Sequence, residues 1–192
     1  MKRMILALFS TLAITGAIAA EVGGVKLEDK LRLTPTGPEL VLNGAGIRTR
    51  VFFKVYVGAL YLPEKKAAAN DVLALAGPKR VTMNMLRDLT AQQLTEALVD
   101  GISNNSNAAE QAALKARIDE LVAIMNALGE AKKGDAITLD YLPESGTRLV
   151  VNGQPRGKPI AGEDLYRALL RIWLGDKPVD DDLKKGMLGQ AG

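Results

Sequence analysis

One stretch limits what this chain can fold into: Leu42 to Leu62, LNGAGIRTRVFFKVYVGALYL. From Ile47 onward it is rich in β-branched and aromatic residues over some sixteen positions, a composition that favours strand. At period two, one face carries Val51, Phe53, Val55, Val57, Ala59 and Tyr61. The other carries Arg48, Arg50, Phe52, Lys54 and Tyr56. An apolar face must be buried, so the pattern predicts a long central strand entered through a glycine-spaced turn at Asn43–Gly46. The first face is expected to be the core side. The second aligns cations with a phenol, and binding chemistry is expected to start there.

The residue inventory rules out most common hydrolase mechanisms. Neither cysteine nor histidine occurs among the 192 residues. Disulfides, thiolate nucleophiles, iron–sulfur clusters, histidine-based triads and HExxH zinc sites are therefore excluded. Acid–base chemistry falls to Asp, Glu, Tyr, Lys or water, and no cofactor or metal site is expected. The net charge is +3, and removing Lys2 and Arg3 leaves 23 basic against 22 acidic residues. That balance carries no nucleic-acid footprint.

Met1-Lys2-Arg3 and the apolar run Met4–Ile14 end on Ala17-Ile18-Ala19, an A-x-A cleavage pattern. Residues 1–19 read as a secretory signal peptide with cleavage near Ala19/Ala20, and residues 20–192 as one mature domain. The run is too short to span a bilayer, and no later run is longer. The mature protein is expected to be periplasmic or secreted, with no membrane span.

The remainder alternates strands and helices. Glu64–Ala76 reads as a helix, and Arg80–Leu86 as a strand with Val81, Met83 and Met85 on one face. Thr90 and Gln93 form a capping box ahead of a helix carrying Leu94, Ala97, Leu98 and Ile102. A long helix over Ala108–Ala131 carries Leu114, Ile118, Leu121, Met125 and Leu128, a core stripe by spacing. Ala136–Leu142 and Thr147–Val151 form a hairpin, and Asn152-Gly153 a tight turn. A helix over Gly162–Leu174 and a short terminal helix at Asp180–Lys185 follow. The order predicts an α+β domain, an antiparallel sheet with helices segregated to one side.

Three stretches are similar to the chalcone isomerase-like family, and within it to the exported bacterial branch: Asn43–Arg48, Phe53–Leu62 and Arg171–Lys177. The resemblance implies an open-faced sandwich, a long antiparallel sheet covered by helices, with a ligand cleft between the layers. Catalytic members cyclise a chalcone, using an arginine after a Gly-Ala-Gly turn to hold the developing enolate. Arg48 stands in that place. A strand threonine of those enzymes falls on Tyr56, a helical tyrosine and asparagine on Gln93 and Asp100, and a second threonine on Ile172. Four of five positions therefore depart from the catalytic pattern.

Two readings follow. In the first, Arg48 anchors a small amphipathic acid, a fatty acid or aromatic carboxylate, with Tyr56 assisting and the apolar cleft taking the tail. In the second, an intramolecular lyase or isomerase acts on an enone, a polyphenol-like substrate, with Arg48 stabilising an enolate. The first is favoured. Arg50, Lys54, Gln93 and Asp100 are weaker site candidates. A further alternative, an envelope protein-interaction module, would need an exposed apolar stripe on the helix from Ala108.

Overall fold

The computed structural model describes residues 18–190; the leader expected at residues 1–19 lies almost wholly outside them. Strand β1 (Ile18–Val22) and β2 (Val25–Glu28) form a hairpin. There follow β3 (Lys30–Arg32), β4 (Glu39–Arg50), β5 (Phe53–Leu62), helix α1 (Ala69–Ala74), β6 (Lys79–Met85) and the two-residue β7 (Leu89–Thr90). Helices α2 (Ala91–Asn104) and α3 (Ala108–Asn126) come next, then the short β8 (Glu130–Ala131). The chain ends through β9 (Ala136–Leu142), β10 (Gly146–Val151), β11 (Gln154–Ile160), α4 (Glu163–Leu174) and α5 (Asp181–Met187). Seven strands form one antiparallel sheet in the order β11-β10-β9-β6-β5-β4-β3.

The helices pack on one face of this sheet, as the element order predicts. Val81, Met83 and Met85 of β6 and Ile137, Leu139 and Tyr141 of β9 meet Leu165, Leu169, Ile172 and Trp173 of α4 in the main core. Leu94, Leu98 and Ile102 of α2 and Leu114, Leu121 and Met125 of α3 complete it. The apolar stripe of α3 is thus spent inside, and the exposed stripe required of an interaction module on that helix is not there. The opposite face is partly covered by the β1–β2 hairpin, where Leu27, Leu40, Leu42, Val57, Ala59 and Tyr61 form a second, smaller cluster. Beside that cluster the fully buried Asp140 accepts a bidentate pair from Arg80 and one bond from Arg148, its neighbours on the flanking strands.

The predicted long strand is two strands. The chain reverses at Val51-Phe52, and Arg50 pairs with Phe53. Val51 and Phe53, expected in the core, stand in water instead. Two irregularities tune the β4–β5 pair. Register shifts between Leu42 and Gly44, leaving Asn43 unpaired, and again after Arg48, leaving Val55 unpaired. The second bulge turns both Val55 and Tyr56 toward the helices, while Val57 goes to the opposite cluster.

Nor is Asn43–Gly46 a turn; it lies within β4, and its glycines accept α5. A β-carbon at Gly44 would overlap the carbonyl of Gly186 and come within 2.7 Å of the Gly189 nitrogen. Strand and helix backbones touch here, which only glycine allows. Asn43 locks the contact: its Nδ2 donates to the carbonyls of Met187 (2.8 Å) and Lys66 (3.0 Å), and its Oδ1 accepts from the Lys66 amide (2.7 Å). Gripped there, the 64–66 segment is not helical, and α1 begins at Ala69 rather than Glu64. The helix from Ala108 likewise stops at Asn126, and Gly129, at φ 75, leads into β8. Among the described residues no helix is long and apolar enough to cross a membrane.

Candidate functional site

Arg48 and Tyr56 are cross-strand partners on β4 and β5, and the Arg48 guanidinium carbon lies 5.6 Å from the Tyr56 ring centroid. They share a face as the period-two reading expects, but across a hairpin rather than along one strand. Tyr56 is buried, and its hydroxyl accepts the indole N–H of Trp173 at 2.8 Å. An oxygen that accepts from the indole keeps its own proton to donate. Burial pushes the phenol's pKa up, more than the nearby Arg48 charge and the Trp173 bond lower it. The phenol is therefore a lasting donor and a poor base.

Between sheet and helices lies an apolar cavity of about 40 Å³. Tyr56, Met83, Ile137 and Leu139 supply its sheet side; Leu94, Met125, Ile172 and Trp173 are among its helical walls. Arg48 stands at its edge and also lines two outer recesses of about 270 Å³ each. One recess runs past Arg50, Val51, Phe53, Arg87 and Gln93; the other past Arg50, Gln93, Glu96, Asp100 and Lys177. The half-buried Arg48 forms no ion pair among the described residues, and its buried Nε has no hydrogen-bond partner. A buried guanidinium N–H without a partner is costly in a folded protein.

The sequence candidates converge unequally. Arg48 and Tyr56 reach the inner cavity; Arg50, Gln93 and Asp100 line the outer recesses. Lys54 is exposed and lines none of the three. Gln93 is also occupied at the start of α2, where its Oε1 accepts the Thr90 amide (3.0 Å) and its own amide donates to the Thr90 hydroxyl (3.2 Å). Trp173 is the member that residue-type reasoning missed, because an inward aromatic on an amphipathic helix reads as packing. Its place within Arg171–Lys177 was the available signal. Val179 closes the cavity from the α4–α5 connection, where its amide donates to the Ile172 carbonyl (2.9 Å).

Comparison with known proteins agrees with this fold. A family model described as chalcone isomerase-like matches residues 19–189. The chain belongs to the chalcone isomerase-like family. Among solved structures it is similar to a fatty-acid binding protein of Arabidopsis thaliana, with a TM-score of 0.62 at 13% identity. The match covers 84% of this chain and 97% of the plant protein. At that identity the likeness is one of fold. Comparison with curated proteins returns no match. Arg48, Tyr56 and Ile172, which the sequence resemblance sets against the family's arginine and two threonines, all line the cavity.

Proposed function

We propose that this protein is a non-catalytic carrier of a small amphipathic acid, exported to the periplasm and processed near Ala19/Ala20. The observation that carries the reading is the unpartnered Arg48 Nε at the edge of an apolar cavity, beside the Tyr56 hydroxyl. A guanidinium and a phenol O–H are two donors suited to the two oxygens of a carboxylate. The alkyl or aryl tail would enter between Met83, Leu94, Met125 and Leu139. The fatty-acid binding neighbour on the same fold supports a ligand of this class. The inner cavity offers donors and no base, which favours holding an acid over cyclising an enone. The family match begins at residue 19, beside the expected cleavage, which supports a mature domain from residue 20.

The test is native mass spectrometry of the protein purified from its own periplasm, with release and identification of any bound acid, followed by calorimetric titration with decanoate. The intact mass reads the processed N-terminus in the same measurement. Arg48→Ala should weaken decanoate binding by about 10–100-fold, the value of a charge-assisted bond to a carboxylate. Arg48→Lys should recover only part of it, since an ammonium lacks the planar fork. Unchanged affinity in both variants would remove Arg48 from the site.

A further inference from the structure

The β4–β5 turn is where large apolar side chains stand together in water. Val51, Phe52 and Phe53 are 77%, 91% and 60% exposed; among the described residues the only other exposed large apolar side chain is Val99 on α2, at 42%. Turn chemistry does not account for them. Two-residue hairpin turns favour Asn-Gly or Gly-X, whereas here a β-branched valine sits at φ 58, a strained position for it. Solubility disfavours them as well.

The charge around the tip is positive. Arg50 and Lys54 flank it, and the Arg87 guanidinium lies 4.7 Å from the Phe53 ring centroid. None of the three forms an ion pair among the described residues. The nearby acids are turned to backbone: Asp88 accepts the Lys133 amide (2.7 Å), and Asp180 accepts those of Thr49 (2.8 Å) and Leu183 (2.9 Å). An exposed aromatic tip ringed by unpaired cations complements an anionic lipid surface, where aromatics seat at the headgroup level and cations meet phosphate.

We propose that this tip docks the protein on an anionic membrane surface, Phe52 entering the headgroup–acyl boundary and Arg50, Lys54 and Arg87 contacting lipid phosphates. The outer recess shares Arg50, Val51, Phe53 and Arg87 with the tip and Arg48 with the cavity, so docking brings that recess to the lipid. Uptake of an amphipathic acid from that surface rests on the carrier reading; the docking does not. One bulky tip and three cations give reversible association rather than anchoring.

Co-sedimentation with vesicles of phosphatidylethanolamine and phosphatidylglycerol, against vesicles of phosphatidylcholine alone, tests the docking. The wild type should sediment with the anionic vesicles and lose that association as salt rises. Phe52→Ser should weaken it about tenfold or more, as should the Arg50→Glu/Lys54→Glu pair. Decanoate titration of Phe52→Ser without vesicles should match wild type, which separates failure of docking from failure of the ligand site. A wild type that stays in the supernatant, or a Phe52→Ser variant that sediments like wild type, overturns the proposal. Self-association in sedimentation velocity that Phe52→Ser abolishes, without vesicle binding, overturns it too and assigns the tip to a second copy of the chain.

Discussion

Tyr56 sits where burial raises the phenol and the nearby Arg48 charge lowers it, and burial wins; in two other tyrosines burial and a nearby carboxylate raise it together. Burial, helped by the Glu28 carboxylate, pushes Tyr61 up to about 12, and burial with the Asp140 carboxylate raises Tyr166 well above the usual phenol range. Tyr166 donates to the Leu139 carbonyl at 2.9 Å, a bond that needs the proton. An unfolded tyrosine titrates near about 10, so the folded state holds these protons more tightly. The stability they contribute is fully present below about pH 10 and is lost as pH rises through the folded values. Lys79, buried and depressed by desolvation, acts in the opposite sense and offsets part of that loss. Thermal unfolding followed from pH 8 to pH 11 should therefore show a midpoint that falls above about pH 10. Tyr56→Phe should flatten the fall, and an equal slope in that variant would place the titration elsewhere.

At the scale of elements, close backbone contact fixes the geometry of the site. α5 lies on Gly44 and Gly46 of β4 and Gly58 of β5, while its N-cap Asp180 binds the Thr49 amide beside Arg48. Gly44→Ala would place a β-carbon against backbone atoms that cannot rotate away. The variant should lose about 2–4 kcal/mol in denaturant titration. It should also weaken decanoate binding by displacing Asp180; a wild-type unfolding curve would refute the contact. These glycines show why part of the fold was hard to read. Gly44 and Gly46 fit a turn and a close approach equally well, and the choice between them depends on α5, more than 130 residues away. The break at Val51-Phe52 lacked any signal, since its residues have pure strand propensity. Local patterns were legible: the Thr90–Gln93 capping box, the β9–β10 hairpin and the Asn152-Gly153 turn, where both residues take positive φ. At the site, Arg48 and Tyr56 were legible as residues of one face, but well apart along one strand; the hairpin makes them partners. The Trp173 bond was not, because it joins positions 117 residues apart.

For the molecule as a whole, the size of the cavity constrains the ligand. About 40 Å³ is little more than the space of one water, and its walls are almost wholly apolar. A tail of many carbons fits only if the helical layer yields from the sheet. The softest walls are Met83 on the sheet and Met125 on α3, because an unbranched thioether repacks at small cost. Both are buried, so the space they hold exists in the folded protein, filled by their own side chains. Met125→Ala would convert that volume into cavity. It should destabilise the fold by about 2–5 kcal/mol, the usual penalty for truncating a buried methionine. It should also move the preferred chain length in a series of saturated acids upward by roughly two to three carbons, each added methylene contributing about 0.8 kcal/mol when buried. Calorimetric titration of that series against wild type and Met125→Ala measures both the optimum and the increment per carbon. An unshifted optimum would mean that the tail lies in the outer recesses, with Arg48 holding the carboxylate from the other side.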